Sequence, residues 1–343
     1  MRRSSDFITH SGVRRRGREA GMTLVELMVA LAIGSFLLLG ALTVYLHGRA
    51  SFQLNESISR LQENGRFALD AIEPDVRMAH YWGLTTRTSK VQGRATPADP
   101  VTLSVDSDCG VNWSVDLERE IDAANNAYDW DCAARPSGAE AQAGSDTLVV
   151  RRAAESPTAT PAANTLYVQS ARFQDSRLFV GPTVPAGYSA ATSESHELVV
   201  DGYYVSRSST LGADVPSLRV KRLGTSAGGP RVTDEEVLPG VEDMQIQLGI
   251  DTDAAGGANR GSIDRYVNPG DGIVDPGSAS FNPDAQILAV RIWLRIRAQS
   301  PEPGFADDKT YVYADQDIAA PMDGYRRIVV SKTIYIRNAR PPI

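Results

Sequence analysis

Gly21-Met-Thr-Leu-Val-Glu26-Leu-Met-Val-Ala30-Leu-Ala-Ile-Gly34-Ser-Phe-Leu-Leu-Leu-Gly40-Ala-Leu-Thr-Val-Tyr-Leu46 decides how the rest of the chain is read. From Leu27 to Leu46 it carries no charge. As a helix it is about 30 Å long, enough to cross the hydrocarbon core of a bilayer. One carboxylate, Glu26, stands at its upstream edge. Upstream of it lie Arg2, Arg3, Arg14, Arg15, Arg16 and Arg18. Basic residues flanking a membrane helix stay in the cytoplasm, so residues 1–21 face inward and the rest of the chain is exported.

The segment is not an ordinary secretory signal. Such a signal has a shorter apolar core followed by a small-residue cleavage site. Here the processing-like feature, Gly21-Met22, precedes the apolar run, so cleavage there removes the basic leader and keeps the helix. A plain anchor has no use for a carboxylate in an apolar helix, where it is costly. Cut after Gly21, the chain places Glu26 roughly one helical turn from a new amine, with which it can pair. Ala30 and Gly34 form a small-xxx-small pair, and Gly40-Ala41 follows. Such residues either let membrane helices approach closely or reflect ordinary glycine and alanine use.

Beyond the membrane, 47–80 reads as a continuation of the helix. Leu54, Ile58, Leu61, Gly65, Ala68, Ile72 and Val76 recur at spacings of three and four and mark one apolar face. Pro74 is expected to kink the helix or start a new turn, and Asn64-Gly65 to weaken it. The head, 81–343, shows short strand-like runs at Thr147–Val150, Leu198–Val200, Tyr203–Val205, Leu218–Lys221 and Met244–Leu248, set apart by Gly, Pro, Ser and Asp clusters. The clearest alternation is Val290–Arg297: Val290, Ile292, Leu294 and Ile296 face one way, and Arg291, Trp293, Arg295 and Arg297 the other. The arginines read as a solvated outer face, with an acidic partner as the alternative. The whole chain has 343 residues and a net charge of −7. Its leader carries six Arg against Asp6 and Glu19, so the remainder is near −11, which argues against broad nucleic-acid binding.

Gly21-Met-Thr-Leu-Val-Glu26 followed by an apolar helix resembles the type IV prepilin N-terminus. The resemblance implies cleavage after Gly21 by a prepilin peptidase, methylation of the new N-terminus at Met22, and a docking role for Glu26 in a helical filament. Met22 stands where major pilins carry Phe, and position 43 is not the proline at which they kink; both departures suit a minor pilin. Leu61-Gln-Glu-Asn-Gly-Arg-Phe-Ala-Leu-Asp70, Asp75-Val-Arg-Met-Ala79, Tyr81-Trp-Gly83, Gly240-Val-Glu-Asp-Met-Gln-Ile-Gln-Leu-Gly-Ile-Asp251 and Asp264-Arg-Tyr266 are similar to the PilW family of minor pilins. That family brings no catalytic residues to carry over. It implies other minor pilins, a major pilin, a PilY-type tip adhesin, the prepilin peptidase and the inner-membrane assembly platform as partners.

Cys109 and Cys132 are the only cysteines. An oxidising compartment favours a disulfide between them, with free thiols as the alternative; they lack the paired spacing of a zinc site. Gly224-Thr-Ser-Ala-Gly228 matches a nucleophile elbow in letters, but Gly228-Gly229-Pro230 follows, so no helix opens there. Asp251, Asp253 and Asp264 lie in a Gly-rich stretch that reads as a calcium loop or as a polar loop; the EF-hand pattern is not met. Tyr81, Trp82, Trp113 and Trp130 read as packing residues rather than base-stacking ones, since no dense basic run is interleaved with them.

The expected fold is α+β: a long N-terminal helix on an antiparallel β-rich periplasmic head, the head in one lobe or two. The expected order is leader 1–21, transmembrane helix 22–46, helix continuation 47–80 and head 81–343. The expected function is non-catalytic: a subunit of the inner membrane that joins other minor pilins to prime assembly or cap the filament tip. A minor pseudopilin of type II secretion and a membrane-anchored periplasmic binding protein or enzyme are the alternatives. No cofactor other than calcium is expected.

Overall fold

The computed structural model describes residues 21–85, 87–94, 103–135, 140–254, 256–275 and 278–339. The leader arginines lie outside the described residues. The chain divides into two compact units at Glu56–Ser57.

Helix α1 runs from Leu24 to Met78. In the first unit every described side chain from Met22 to Arg49 is exposed. Leu24, Phe36, Leu37, Leu38 and Val44 are about two-thirds exposed or more, at 73, 76, 71, 69 and 73%. Water does not hold an apolar surface of that extent bare. This is the one described helix long and apolar enough to cross a membrane. Ser35 and Thr43 turn their hydroxyls back onto the carbonyls of Ala32 and Gly40, both at 2.8 Å, so the only side-chain hydroxyls of the stretch besides Thr23 and Tyr45 are satisfied within the helix.

In the second unit the same helix is amphipathic. Leu61, Gly65, Ala68, Ile72 and Val76 are buried, and Ile58 half-buried. The face read from the spacing is therefore the packed one. The helix continues past Pro74 to Met78, and His80, with φ of 63°, turns the chain out of it. Gly65 is a close-approach point, not a weak one. A Cβ there would meet Val330 Cγ1 at 2.9 Å and Ile296 Cδ1 at 3.1 Å, so only glycine lets the helix lie this near the sheet.

Fourteen strands follow: β1 (Val91–Gln92), β2 (Ile121–Ala124), β3 (Thr147–Ala153), β4 (Leu166–Ala171), β5 (Ser176–Val180), β6 (Ser193–Ser206), β7 (Ser217–Ser226), β8 (Gly229–Pro239), β9 (Val241–Asp251), β10 (Arg265–Val267), β11 (Gln286–Arg297), β12 (Tyr311–Tyr313), β13 (Gln316–Ile318) and β14 (Arg327–Tyr335). The first eight form one sheet in which β6 pairs with β4, β3 and β7. All its pairings are antiparallel except β1 with β5. A second, fully antiparallel sheet has the order β10-β9-β11-β14, and β12 and β13 form a hairpin.

Two apolar cores result. The larger joins Leu61, Ala68, Ile72 and Val76 of α1 to Met244, Ile246, Leu294 and Ile296 of the second sheet and to Leu148, Val150 and Val205 of the first. The smaller gathers Trp82, Trp113, Val115 and Leu117 over Val149, Ala153, Leu198 and Val200. Leu148 and Val150 thus face one core and Val149 the other. This explains the unbroken apolar run Leu148-Val-Val150: a strand covered on both faces does not alternate.

Candidate functional site

The N-terminal motif opens the helix. Thr23 N and Oγ1 both donate to Glu26 Oε2, at 2.9 and 3.0 Å, and Glu26 N donates back to Thr23 Oγ1 at 3.3 Å. This is a capping box, in which residues three apart satisfy each other's orphan donors at the start of a helix. The signal is plain in Thr23-Leu-Val-Glu26, yet a reading of Glu26 as a charge for docking alone passes over it. Met22 and Gly21 precede the box as exposed residues. Gly34 and Gly40 face open space, with nothing near the position of a Cβ, and Ala30 is exposed beside them.

In the second unit a polar seam flanks the apolar face of the helix. Asp75, 6% exposed, receives Arg152 Nη2 at 2.7 Å and the Tyr203 hydroxyl at 2.5 Å. Burial, with Asp75 beside it, pushes the Tyr203 hydroxyl far up. Lys332 of β14 reaches Asp70 at 2.8 Å and Glu73 at 2.5 Å. These partners come from strands far along the chain, so no local pattern announces them.

Cys109 and Cys132 are joined, their Cα atoms 4.5 Å apart. Cys109 is buried in the smaller core. Beside it Trp113 and Trp130 meet edge to face at 5.5 Å, and Trp82 and Trp113 are buried, so these aromatics pack within the head. Arg151 is buried too and donates to the carbonyls of Trp113 and Arg119, tying the polar segment 103–120 onto β3.

The structure brings Asp251, Asp253 and Asp264 together, one carboxylate oxygen from each lying within 4.8 Å of the others. Oxygen ligands of this kind suit calcium. Internal donors already engage two of the three. Asp251 accepts from the backbone N–H of Asp253 at 2.9 Å and of Gly261 at 2.6 Å, with Arg260 Nε 3.7 Å away. Asp264 accepts from Thr252 N and Oγ1, both at 2.7 Å, and these bonds hold its carboxyl below the usual range. The guanidinium supplies charge that a cation would otherwise bring.

The arginine row of β11 is not the solvated face its alternation predicts. Arg291, Arg295 and Arg297 are half-buried. Arg291 lies 3.6 Å over the Tyr266 ring and Arg297 4.3 Å over Tyr325. Aromatic faces accept guanidinium stacking, which keeps the planar head partly dry. Gly224–Gly228 sits at the tip of the β7–β8 hairpin, where Ser226 Oγ donates to Gly229 O at 3.0 Å. His196 is buried elsewhere, its Nδ1 2.8 Å from Ala154 O. The letters of a nucleophile elbow here spell a hairpin turn.

An exposed apolar helix capped by a single carboxylate leads into a β-rich head, an α+β architecture. Residues 16–42 match the prokaryotic N-terminal methylation motif, and residues 202–338 match type IV pilus-assembly protein W. The chain is also similar to a type IV-like pilin from Thermus thermophilus, TTHA1219, at 16% identity over 59% of this chain and 81% of that one. The TM-score of that pair is 0.26, too low for it to define a shared fold. No curated protein matches the chain. The motif and the apolar helix support membrane anchoring, and the two matches support a protein related to type IV pilus assembly. Within that class, the match over residues 202–338 supports a PilW-family minor pilin. That family is structural and in general not enzymatic.

Proposed function

We propose that this chain is a non-catalytic minor pilin that joins other minor pilins to prime assembly or cap the filament tip. Its leader, residues 1–21, is cut after Gly21, and Met22 becomes the methylated N-terminus. Residues 22–46 then hold the protein in the inner membrane, with the head in the periplasm. The observation that carries this reading is the bare apolar helix from Met22 to Leu46, which has no covering within its own unit. Such a surface is stable in lipid, and on leaving lipid it needs the helices of other subunits. Ala30, Gly34 and Gly40 allow the close approach, and Glu26 meets the N-terminal amine of a neighbour. In the low dielectric of a filament such a pair sets register more than it adds net affinity.

A head of this size suits the tip better than every position of a packed shaft. Glu26 as a docking charge, the minor and major pilins and a PilY-type adhesin as partners, and the assembly platform as the site of action follow from the same reading. The test is processing and co-purification in the native host. Mass spectrometry of membrane protein is expected to show loss of residues 1–21, and crosslinked chain is expected to bring down other minor pilins. An intact leader in cells with active prepilin peptidase would sink the pilin reading. Recovery with secretion pseudopilins instead would move the protein to type II export.

A further inference from the structure

The second sheet ends in an uncovered strand edge. β14 closes the order β10-β9-β11-β14 and pairs with β11 alone, in unbroken register from Arg327 to Tyr335. Ile336 N donates to Leu288 O at 2.9 Å, and Ala298 N donates to Arg326 O at 2.8 Å. In an antiparallel ladder, residues bonded to the partner strand alternate with residues whose N–H and C=O point away from it. The even-numbered residues of β14 therefore give their backbone groups to β11. Val329, Ser331, Thr333 and Tyr335 turn theirs outward, and no described residue bonds to them. The outward series ends at Arg337, whose N–H donates to Arg77 O of α1 at 2.9 Å. Asn338 Nδ2 then reaches Ala79 O at 3.4 Å, so the described chain runs on to the helix end and does not double back along the strand.

Other edges in the head are short or blunted, which keeps free strands from pairing at random. β1, β2 and β10 have two, four and three residues. β8 is longer, but Asp106 N donates to Pro230 O at 2.9 Å and Val232 N donates to Asp106 O at 3.0 Å, and Arg231 and Glu235 are exposed along it. Between Arg327 and Arg337, β14 carries one charge, Lys332. Its ammonium is folded back onto Asp70 and Glu73 of α1, at 2.8 and 2.5 Å. The side chain that would deter an incoming strand is held on the helix side.

We propose that β14 accepts an extended segment of another protein as an added strand. The outward groups identify the occupant. N–H and C=O pairs repeating at every second residue over about 20 Å match the backbone of one strand of about seven residues, and neither a helix nor a small molecule. Val329, Ser331, Thr333 and Tyr335 share one face of the strand and carry no charge, and Ser331 and Tyr335 are exposed. The segment is therefore uncharged on that face, with β-branched or aromatic residues beside Val329, Thr333 and Tyr335, the pairs that stabilise neighbouring strands. It has no proline where it must donate. The inference concerns the head alone and does not depend on how the N-terminus is processed.

Residue-resolved hydrogen exchange and fluorescence anisotropy on the full chain in detergent test this. The probe is the end-capped peptide Thr-Val-Thr-Val-Thr-Val-Thr, and its control is the same peptide N-methylated throughout. In the free protein the amides of Val329, Ser331, Thr333 and Tyr335 are expected to exchange at least about tenfold faster than those of Val330, Lys332 and Ile334. The peptide is expected to bind saturably and to slow the four outward amides about tenfold or more. The N-methylated peptide, which has no donors, is expected to bind at least about tenfold more weakly. Ser331→Pro removes one outward N–H and keeps the bonds to β11, since proline is tolerated on an edge strand whose N–H faces solvent. It is expected to weaken the peptide by a similar factor, and the N-methylated control gives the same test on the unaltered protein. Outward amides already slow in the free protein, no saturable binding, equal binding of the N-methylated peptide, or a folded Ser331→Pro that binds as the parent does would each overturn the proposal. So would a concentration-dependent dimer of the full chain that protects the same four amides, which would give the edge to a second copy.

Discussion

One helix lives under two regimes. From Met22 to Leu46 its apolar side chains are bare all round, and the hydroxyls of Ser35 and Thr43 are folded back on its own carbonyls. From Ser57 to Met78 its apolar residues, Phe67 apart, keep to one face, which is buried against two sheets, and Asp70, Glu73 and Asp75 find arginine, lysine and tyrosine partners in the head. The second segment solves its burial problem within the chain; the first exports it to lipid or to other subunits. Stability of the head therefore belongs to the second segment alone, and changes in the first are expected to act only on membrane residence and assembly.

The largest effect is expected at Asp75. Asp75→Ala leaves Arg152 and the Tyr203 hydroxyl without their acceptor at the helix–sheet contact. Removing one member of a buried pair costs about 3–5 kcal/mol. Denaturant unfolding of the head measures it. A loss no greater than that of an exposed substitution would show that the second segment is not part of the head's cooperative core.

Next comes pH. Burial pushes Asp146 up to about 7, although it accepts from Asn126 N and Ile246 N, each at 2.7 Å. A carboxyl raised in the folded state binds its proton there more tightly than in the unfolded chain. Its contribution is thus full below the unfolded value and is lost as pH rises through the folded one. The head is expected to lose stability between about pH 4 and 7, by up to about 4 kcal/mol for a shift of this size. Burial raises Asp201 to about 7 as well, so Asp146→Asn is expected to reduce the slope and Asp146→Asn with Asp201→Asn to flatten it; an unchanged slope in the double variant places the titration elsewhere. Glu26 is the only charged side chain from Gly21 to Leu46, so the dependence is a property of the head.

A smaller, sharper test uses matched glycines. Gly65→Ala drives a methyl into Val330 and Ile296 and is expected to cost about 1–3 kcal/mol, as overpacking does. Gly34→Ala meets nothing in its own unit and should leave head unfolding unchanged. Equal effects at the two sites would erase the distinction between the segments.

Much of this division is legible in the residues. The charge-free run from Leu27 to Leu46, the spacing of Leu61 to Val76 and the alternation of Val290 to Ile296 each follow one period, and each face lies where its period puts it. What resists reading is held by partners distant in sequence. The polar stretch after Thr85 has no period, yet Trp113, Val115 and Leu117 cover a sheet face, fixed by the disulfide and by Arg151. The arginines of β11 obey their alternation but are half-buried because Tyr266 and Tyr325 stack on two of them. Gly65 reads in the sequence as a weak point of the helix and Asp75 as one polar residue of a motif; Arg152, Tyr203 and Val330 give them their weight. The capping box of Thr23 and Glu26 is the opposite case, a local pattern fully visible in four residues.

The least effect on the head, and the finest test of the first segment, falls on Glu26. Its carboxylate does two things that an alanine removes at once: it caps the helix through Thr23 and it carries the charge proposed to meet a neighbour's amine. Glu26→Ala therefore confounds a frayed helix start with a lost charge. Glu26→Gln separates them, because a glutamine carbonyl still accepts from the Thr23 N–H in a capping box and carries no charge. Neither variant should change head unfolding, since Glu26 lies outside the unit that unfolds. If charge sets register, Glu26→Gln and Glu26→Ala should reduce surface pili and co-purification with other minor pilins alike. If the cap is what matters, Glu26→Gln should assemble as the parent does while Glu26→Ala fails, and Thr23→Val, which keeps the charge and removes the hydroxyl, should fail with it. Counting pili by electron microscopy beside the amount of each variant in the inner membrane distinguishes the two. Normal assembly by all three variants would leave the bare apolar face, with Ala30 and Gly34 at its closest approach, to direct docking without either device.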